Sequence, residues 1–170
     1  KNILFFGPAF FGYETDICNK INEMGGTVYY VPENVDSVNN LFCVVNRLKP
    51  KFKTPIFDNH FKRELNKVKT NDIHYVFVIR GRLLTQSFLS DLKKTYSDAK
   101  FIMYQWDSIQ NTREVIELFD TFILSYWCNH GTADDNTIAL ISRLENKNLI
   151  IIGTLGASPD GDHARKVDAR

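Results

Sequence analysis

Short apolar runs alternate along this chain with longer stretches in which apolar residues recur every three or four positions, the pattern of strands joined by amphipathic helices. Residues 3–6 (ILFF) read as a first strand that stops at Gly7-Pro8. Tyr13, Ile17, Ile21 and Met24 then follow at helical spacing, and Gly25-Gly26 closes that helix. Residues 27–31 form a second predicted strand, ended by Pro32. Residues 33–55 read as a loop with one helical turn around Leu41 to Leu48, followed by a helix over 56–68 whose inward positions are Phe57, Phe61, Leu65 and Val68. Residues 75–79 (YVFVI) are almost continuously apolar, as expected of a strand covered on both faces. Thr85 is placed to cap a helix carrying Phe88, Leu89 and Leu92. A fourth strand is predicted over 101–104, a short helix over 114–118 and a fifth strand over 121–124. Asp134 or Asp135 opens a further helix with Ile138, Ile141 and Leu144, residues 149–152 form a sixth strand, and Asp162 caps a last helix.

The expected fold is therefore α/β: a three-layer, Rossmann-like or flavodoxin-like open parallel sheet of about six strands with helices on both faces. At 170 residues one domain suffices to bury a core without staples. In such sheets ligands sit beyond the carboxyl ends of the strands, so the loops that follow strands are where chemistry is sought.

Composition narrows the function classes. A net charge of +1 provides no global field to draw nucleic acid or an anionic membrane, and no apolar run approaches the ~20 residues of a membrane span. Cys18, Cys43 and Cys128 are widely spaced and odd in number, forming neither a metal pair nor a disulfide framework, so a reducing, cytoplasmic setting is expected. The chain starts Lys1-Asn2 and enters a strand at once, with no signal peptide, and it ends within a helical pattern at Arg170. Both ends read as cut from something longer.

Three loops stand out among the first four strands. Gly7-Pro8-Ala9-Phe10-Phe11-Gly12-Tyr13-Glu14 places two glycines near a helix start, where backbone N–H groups can meet an anion, and two phenylalanines suited to line a wall. It is neither a GxGxxG nor a Walker loop, and a plain tight turn explains it equally well. Arg80-Gly81-Arg82 follows the third strand, and paired guanidinium groups suit a phosphate, although exposed loop arginines are common. Gln105-Trp106-Asp107-Ser108 follows the fourth strand, where Asp107 reads either as a general base or hydroxyl-binding group, or as a helix cap.

The segments Asn2-Ile3-Leu4-Phe5-Phe6-Gly7-Pro8 with Phe11 and Tyr13-Glu14, Val76-Phe77-Val78-Ile79-Arg80-Gly81, and Lys100-Phe101-Ile102-Met103-Tyr104-Gln105-Trp106-Asp107-Ser108 with Asn111 resemble the amino-terminal domain of CgeB-like bacterial lipopolysaccharide and capsule glycosyltransferases. The resemblance covers about residues 1–120. It implies an acceptor-side Rossmann-like domain acting in cell-surface polysaccharide synthesis, with a separate donor domain for the nucleotide-sugar that this sequence lacks. Asp107 or Glu14 would then activate or orient the hydroxyl of a glycan acceptor, while Gly7, Gly12, Tyr13, Arg80, Arg82 and Trp106 would line the substrate site. Arg82 departs from the acidic or polar residue expected in that family.

Beyond about residue 120 the motifs change. Tyr126-Trp127-Cys128-Asn129-His130-Gly131-Thr132-Ala133-Asp134 and Gly153-Thr154-Leu155-Gly156-Ala157-Ser158-Pro159-Asp160, with His163-Ala164 after them, resemble the second half of a flavodoxin-family protein. That resemblance implies FMN as cofactor in an electron-transfer module. Trp127, Asn129, Gly131, Thr132, Thr154, Leu155, Gly156, Ala157 and Asp160 would be its binding residues, and Trp127 offers the stacking face. A phosphate cradle after the first strand is expected with FMN, and residues 7–14 do not resemble one. Cys128 beside His130 reads far more readily as inert than as a catalytic thiol, and His130 with His163 fits no familiar metal spacing, so no metal is expected. A third reading is a junction of two coding segments near 119–121 that keeps its hydrophobic pattern in phase, folds, and has no activity alone.

Overall fold

The structure is a computed structural model and describes residues 1–33, 50–70, 72–105, 113–128 and 149–153. Six parallel strands form one sheet: β1 (Asn2–Gly7), β2 (Thr27–Pro32), β3 (Tyr75–Ile79), β4 (Lys100–Gln105), β5 (Ile123–Cys128) and β6 (Leu149–Gly153). Their order is β2-β1-β3-β4-β5-β6, so the chain reverses direction across the sheet between β1 and β3. The α/β parallel-sheet architecture expected from the sequence is the one observed. The register places Leu4 beside Val76 and Phe6 beside Val78, and carries on from Val76 to Phe101 and from Val78 to Met103.

Those residues share one face of the sheet, because side chains alternate along a strand. Helices α2 (Pro50–Leu65) and α3 (Gln86–Thr95) and a 3₁₀ helix (Arg113–Thr121) cover that face. Phe57 and Phe61, then Phe88, Leu89 and Leu92, then Val115, Leu118 and Phe119 close over it as one apolar cluster. At its centre Phe6, Phe61 and Phe88 meet ring to ring, with centroids 5.1–5.9 Å apart.

The opposite face is thinner. Helix α1 (Tyr13–Glu23) lies there but buries none of its residues, and Tyr13 and Met24 are 52% and 79% exposed. The apolar stripe of α1 thus stays half-wet. Tyr75 and Phe77 of β3 are likewise only half-buried, so β3 is fully covered on one face alone. Phe5 remains buried there, stacked on Phe77 at 5.3 Å with Tyr30 on its other side.

Three elements depart from the sequence reading. Helix α2 begins at Pro50, not at 56, and holds Pro55 inside it, where the missing N–H forgoes one helical bond without ending the helix. The 3₁₀ helix runs on through Thr121, and Phe122 packs into the bend against Phe101 at 6.0 Å, so β5 starts at Ile123 instead of Thr121 and extends to Cys128. Gln105, expected in a loop, closes β4 and is fully buried. The helical turn expected at 41–48, the helix opened by Asp134 or Asp135 and the one capped by Asp162 lie outside the described residues.

Thr85 caps α3 as predicted: its Oγ1 accepts from the Phe88 N–H at 3.1 Å. The same hydroxyl donates to Asp58 of α2, and Ser87 Oγ donates to the other Asp58 oxygen at 2.6 Å, tying the two helices together. Thr85→Ala is expected to lower unfolding free energy by about 1–2 kcal/mol, whereas Thr85→Ser keeps most of it. Paired urea titrations measure this, and equal losses in both variants would remove the cap from the account.

Among the described residues no helix is long and apolar enough to cross a membrane.

Candidate functional site

A parallel sheet whose connections diverge on either side of one strand pair leaves a crevice at that pair's carboxyl end. Here the pair is β1 and β3. Three described segments border the crevice: the loop from β1 into α1, the first residue after β2, and the turn after β3.

The β1–α1 loop is held in an unusual backbone. Phe11 and Gly12 both take positive φ, 53° and 82°, a region a phenylalanine enters only under strain. Glu14 secures the turn, since its Oε2 accepts from the Phe10 N–H at 3.0 Å. Phe10 and Phe11 are left in solvent at 48% and 83% exposure, their rings 4.4 Å apart, with Tyr13 beside Phe10 at 6.3 Å. A carboxylate of the chain itself thus takes one of the loop N–H groups that an anion could have met near the helix start. Asp16 adds a second negative charge in the same turn. Gly7 ends β1, and a side chain there would meet the Phe5 ring at 2.9 Å.

After β3 the chain makes a γ-turn centred on Arg80, with φ of 70° and a bond from the Gly81 N–H to the Ile79 carbonyl at 2.9 Å. The Arg80 N–H itself donates across to the Tyr104 carbonyl at 3.1 Å. Gly81 also has positive φ, 68°, and a Cβ there would lie 3.0 Å from both Met103 and Val78. Gly81→Ala is accordingly expected to cost about 2–3 kcal/mol through backbone strain and crowding. Thermal melts check this, and an unchanged Tm would mean the turn relaxes freely.

Glu33, the residue after β2, joins these loops. Its N–H donates to the Gly7 carbonyl at 2.9 Å, where the Tyr30 hydroxyl also donates at 2.9 Å. Its side chain turns inward, 4% exposed, and Oε1 accepts from the Leu83 N–H at 2.8 Å. The Arg82 N–H donates to the same carboxylate. Burial pushes the Glu33 carboxyl up to about 7, against the pull of the Leu83 N–H and the Arg80 and Arg82 charges. Next to it, His60 Nε2 donates to the Pro32 carbonyl at 3.0 Å, and its Nδ1 lies 3.3 Å from Arg63 Nη2.

The structure brings together Gly7, Gly12, Tyr13, Glu14, Arg80 and Arg82 of the residues singled out by sequence, all at the carboxyl edge around β1 and β3. Glu33 was not singled out. A lone acid after Pro32 reads as a solvated loop residue, yet the rule that ligands gather beyond strand ends applies to it as well. Trp127, read as a loop residue, lies inside β5 and pairs with Ile152 of β6. Trp106, Asp107, Asn129, Gly131, Thr132, Thr154, Leu155, Gly156, Ala157 and Asp160 lie outside the described residues. Cys18 is half-buried, its thiol pushed up by burial and then by the Glu14 charge, which disfavours a reactive thiolate. Among the described residues no three metal-ligating side chains come together.

Comparison with known proteins bears on the second half of the chain. No solved structure matches it. The Flavodoxin-like domain-containing protein BilS of Clostridioides difficile (strain CD3) is 31% identical over 51 residues, which are 30% of this chain and 29% of that protein. The chain therefore spans under a third of the length of this curated relative. Neither this similarity nor the family match supports the glycosyltransferase resemblance. Residues 89–170 match the family model described as Flavodoxin domain, a stretch that begins within α3 and runs through β4, β5 and β6.

Proposed function

We propose that the chain is a flavodoxin-like module that binds a phosphate-bearing planar cofactor, FMN first among candidates, at the carboxyl edge of its sheet. The observation that carries this reading is the strand order. The sequence β2-β1-β3-β4-β5 is that of flavodoxin-like sheets, in which FMN sits at the β1/β3 switch point, and the chain's second half matches a Flavodoxin domain.

The fit differs from the usual arrangement at the phosphate end. Glu14 fills the β1–α1 turn, and Arg80 and Arg82 stand in the turn that follows β3. A phosphate would be held there by guanidinium groups in place of loop hydroxyls. Phe10, Phe11 and Tyr13 offer exposed ring faces beside it. The loops after β5 and β6, which carry the flavodoxin-like motifs, begin two and three strand spacings beyond β3, about 10–14 Å away. A flavin with its ribityl phosphate arm extended is a ligand of that reach. Bound FMN would supply one- and two-electron transfer. No observation favours the glycosyltransferase reading over this one.

The test is a titration of the purified chain with FMN and with riboflavin, followed by flavin fluorescence. Quenching at micromolar FMN, with riboflavin at least about tenfold weaker and Arg82→Gln narrowing that gap, supports the reading. A chain that quenches neither flavin sinks it.

A further inference from the structure

We propose that Glu33 couples anion binding at the Arg80–Arg82 turn to the uptake of a proton by its own carboxyl group. This inference rests on the anion site of the proposed function and specifies its chemistry.

The carboxylate is buried and bonded to the backbone of the very loop that carries both arginines, through Leu83 N–H at 2.8 Å and Arg82 N–H. Among the described residues the surrounding charges are few enough to name. Arg80 and Arg82 face it from the turn after β3 and are the charges that favour its ionised form. From α2, His60 bonds to the Pro32 carbonyl and Arg63, and from β2 the Tyr30 hydroxyl donates to Gly7. After the Leu83 N–H, it is the two arginines that keep a negative charge tolerable in so dry a place. An anion that engages them neutralises that support, and the cheapest response is for Glu33 to become a neutral carboxylic acid. Linkage makes the effect reciprocal: a protonated Glu33 leaves the arginines freer for the anion, so affinity rises as pH falls through neutrality.

The experiment follows Glu33 by carbon-13 NMR of the carboxyl in the full chain, with Glu33→Gln assigning the resonance. Sodium sulfate is the probe because it has no titration of its own near pH 7, and sodium chloride at equal ionic strength is the control. Saturating sulfate is expected to raise the Glu33 midpoint by about 0.5–1 pH unit, equivalent to a roughly three- to tenfold change in sulfate affinity across the titration. The rise should persist in His60→Gln and shrink in Arg82→Gln. Saturable sulfate shifts at the Arg82 and Leu83 amides without movement of the Glu33 midpoint beyond the chloride control overturn the coupling and leave the anion site standing. Absence of any saturable shift with either sulfate or FMN overturns both.

Discussion

Phe61→Ala is expected to cost about 3–5 kcal/mol of unfolding free energy, a large share of what holds a single domain together. The side chain is fully buried and its ring meets Phe6 of β1 at 5.7 Å and Phe88 of α3 at 5.1 Å. It is thus the point where the first strand, the crossover helix α2 and helix α3 share one contact. Neighbours drawn from three elements cannot collapse into the void without moving a whole helix, which places the loss toward the upper part of that range. Phe61→Leu refills most of the volume and forfeits mainly ring–ring contact, about 1–2 kcal/mol. Urea denaturation separates the two. A Phe61→Ala loss no larger than that of Phe61→Leu would mean that α2 is not anchored through this ring.

The second large effect concerns Glu33 and depends on pH. Its carboxyl sits at about 7 in the fold against an ordinary 4.5, so the folded state binds this proton more tightly than the unfolded chain. The stability it contributes is complete below 4.5 and is lost as pH rises through about 7. The full span corresponds to roughly 3–4 kcal/mol. Glu33→Gln removes the titration while keeping an oxygen for the Leu83 N–H. Relative to the parent, the variant should gain roughly 2–3 kcal/mol between pH 5 and pH 8, most of it around pH 5–7. The readout is the difference between the two pH values, in which any constant cost of the amide cancels. Glu64 works in the opposite direction, lowered first by its bond to Lys67, but it is present in both proteins and drops out. Parallel pH profiles for parent and variant would show that Glu33 titrates normally.

The strands were legible because buried parallel strands are nearly pure apolar runs, and β1 to β4 fall within a residue or two of where those runs lie. What escaped the sequence was set by tertiary packing. Phe122 looks like strand material, but its N–H is held to the Phe119 carbonyl and its ring belongs under the 3₁₀ helix, which moves the start of β5. Pro55 looks like a stop, yet α2 passes through it because Phe57 and Phe61 still reach the core. The α1 stripe has the right spacing and no cover, since periodicity reports a face without reporting whether anything lies against it. The loops after β1 and β3 were picked out from sequence, whereas Glu33 was not, because only the folded β3–α3 turn turns an ordinary acid into a buried one.

The strand order also has a consequence for how the chain assembles. β1 pairs early with β2, Asn2 opposite Thr27, but its other edge waits for β3, Ile3 opposite Tyr75. As the polypeptide emerges from the ribosome, a strand with five buried residues therefore spends the synthesis of everything between with one row of amides and carbonyls unmet. Distant pairings of this kind slow folding and lengthen exposure to wrong partners. Nascent chains halted before Tyr75 are the stage at which a chaperone would find the most to hold.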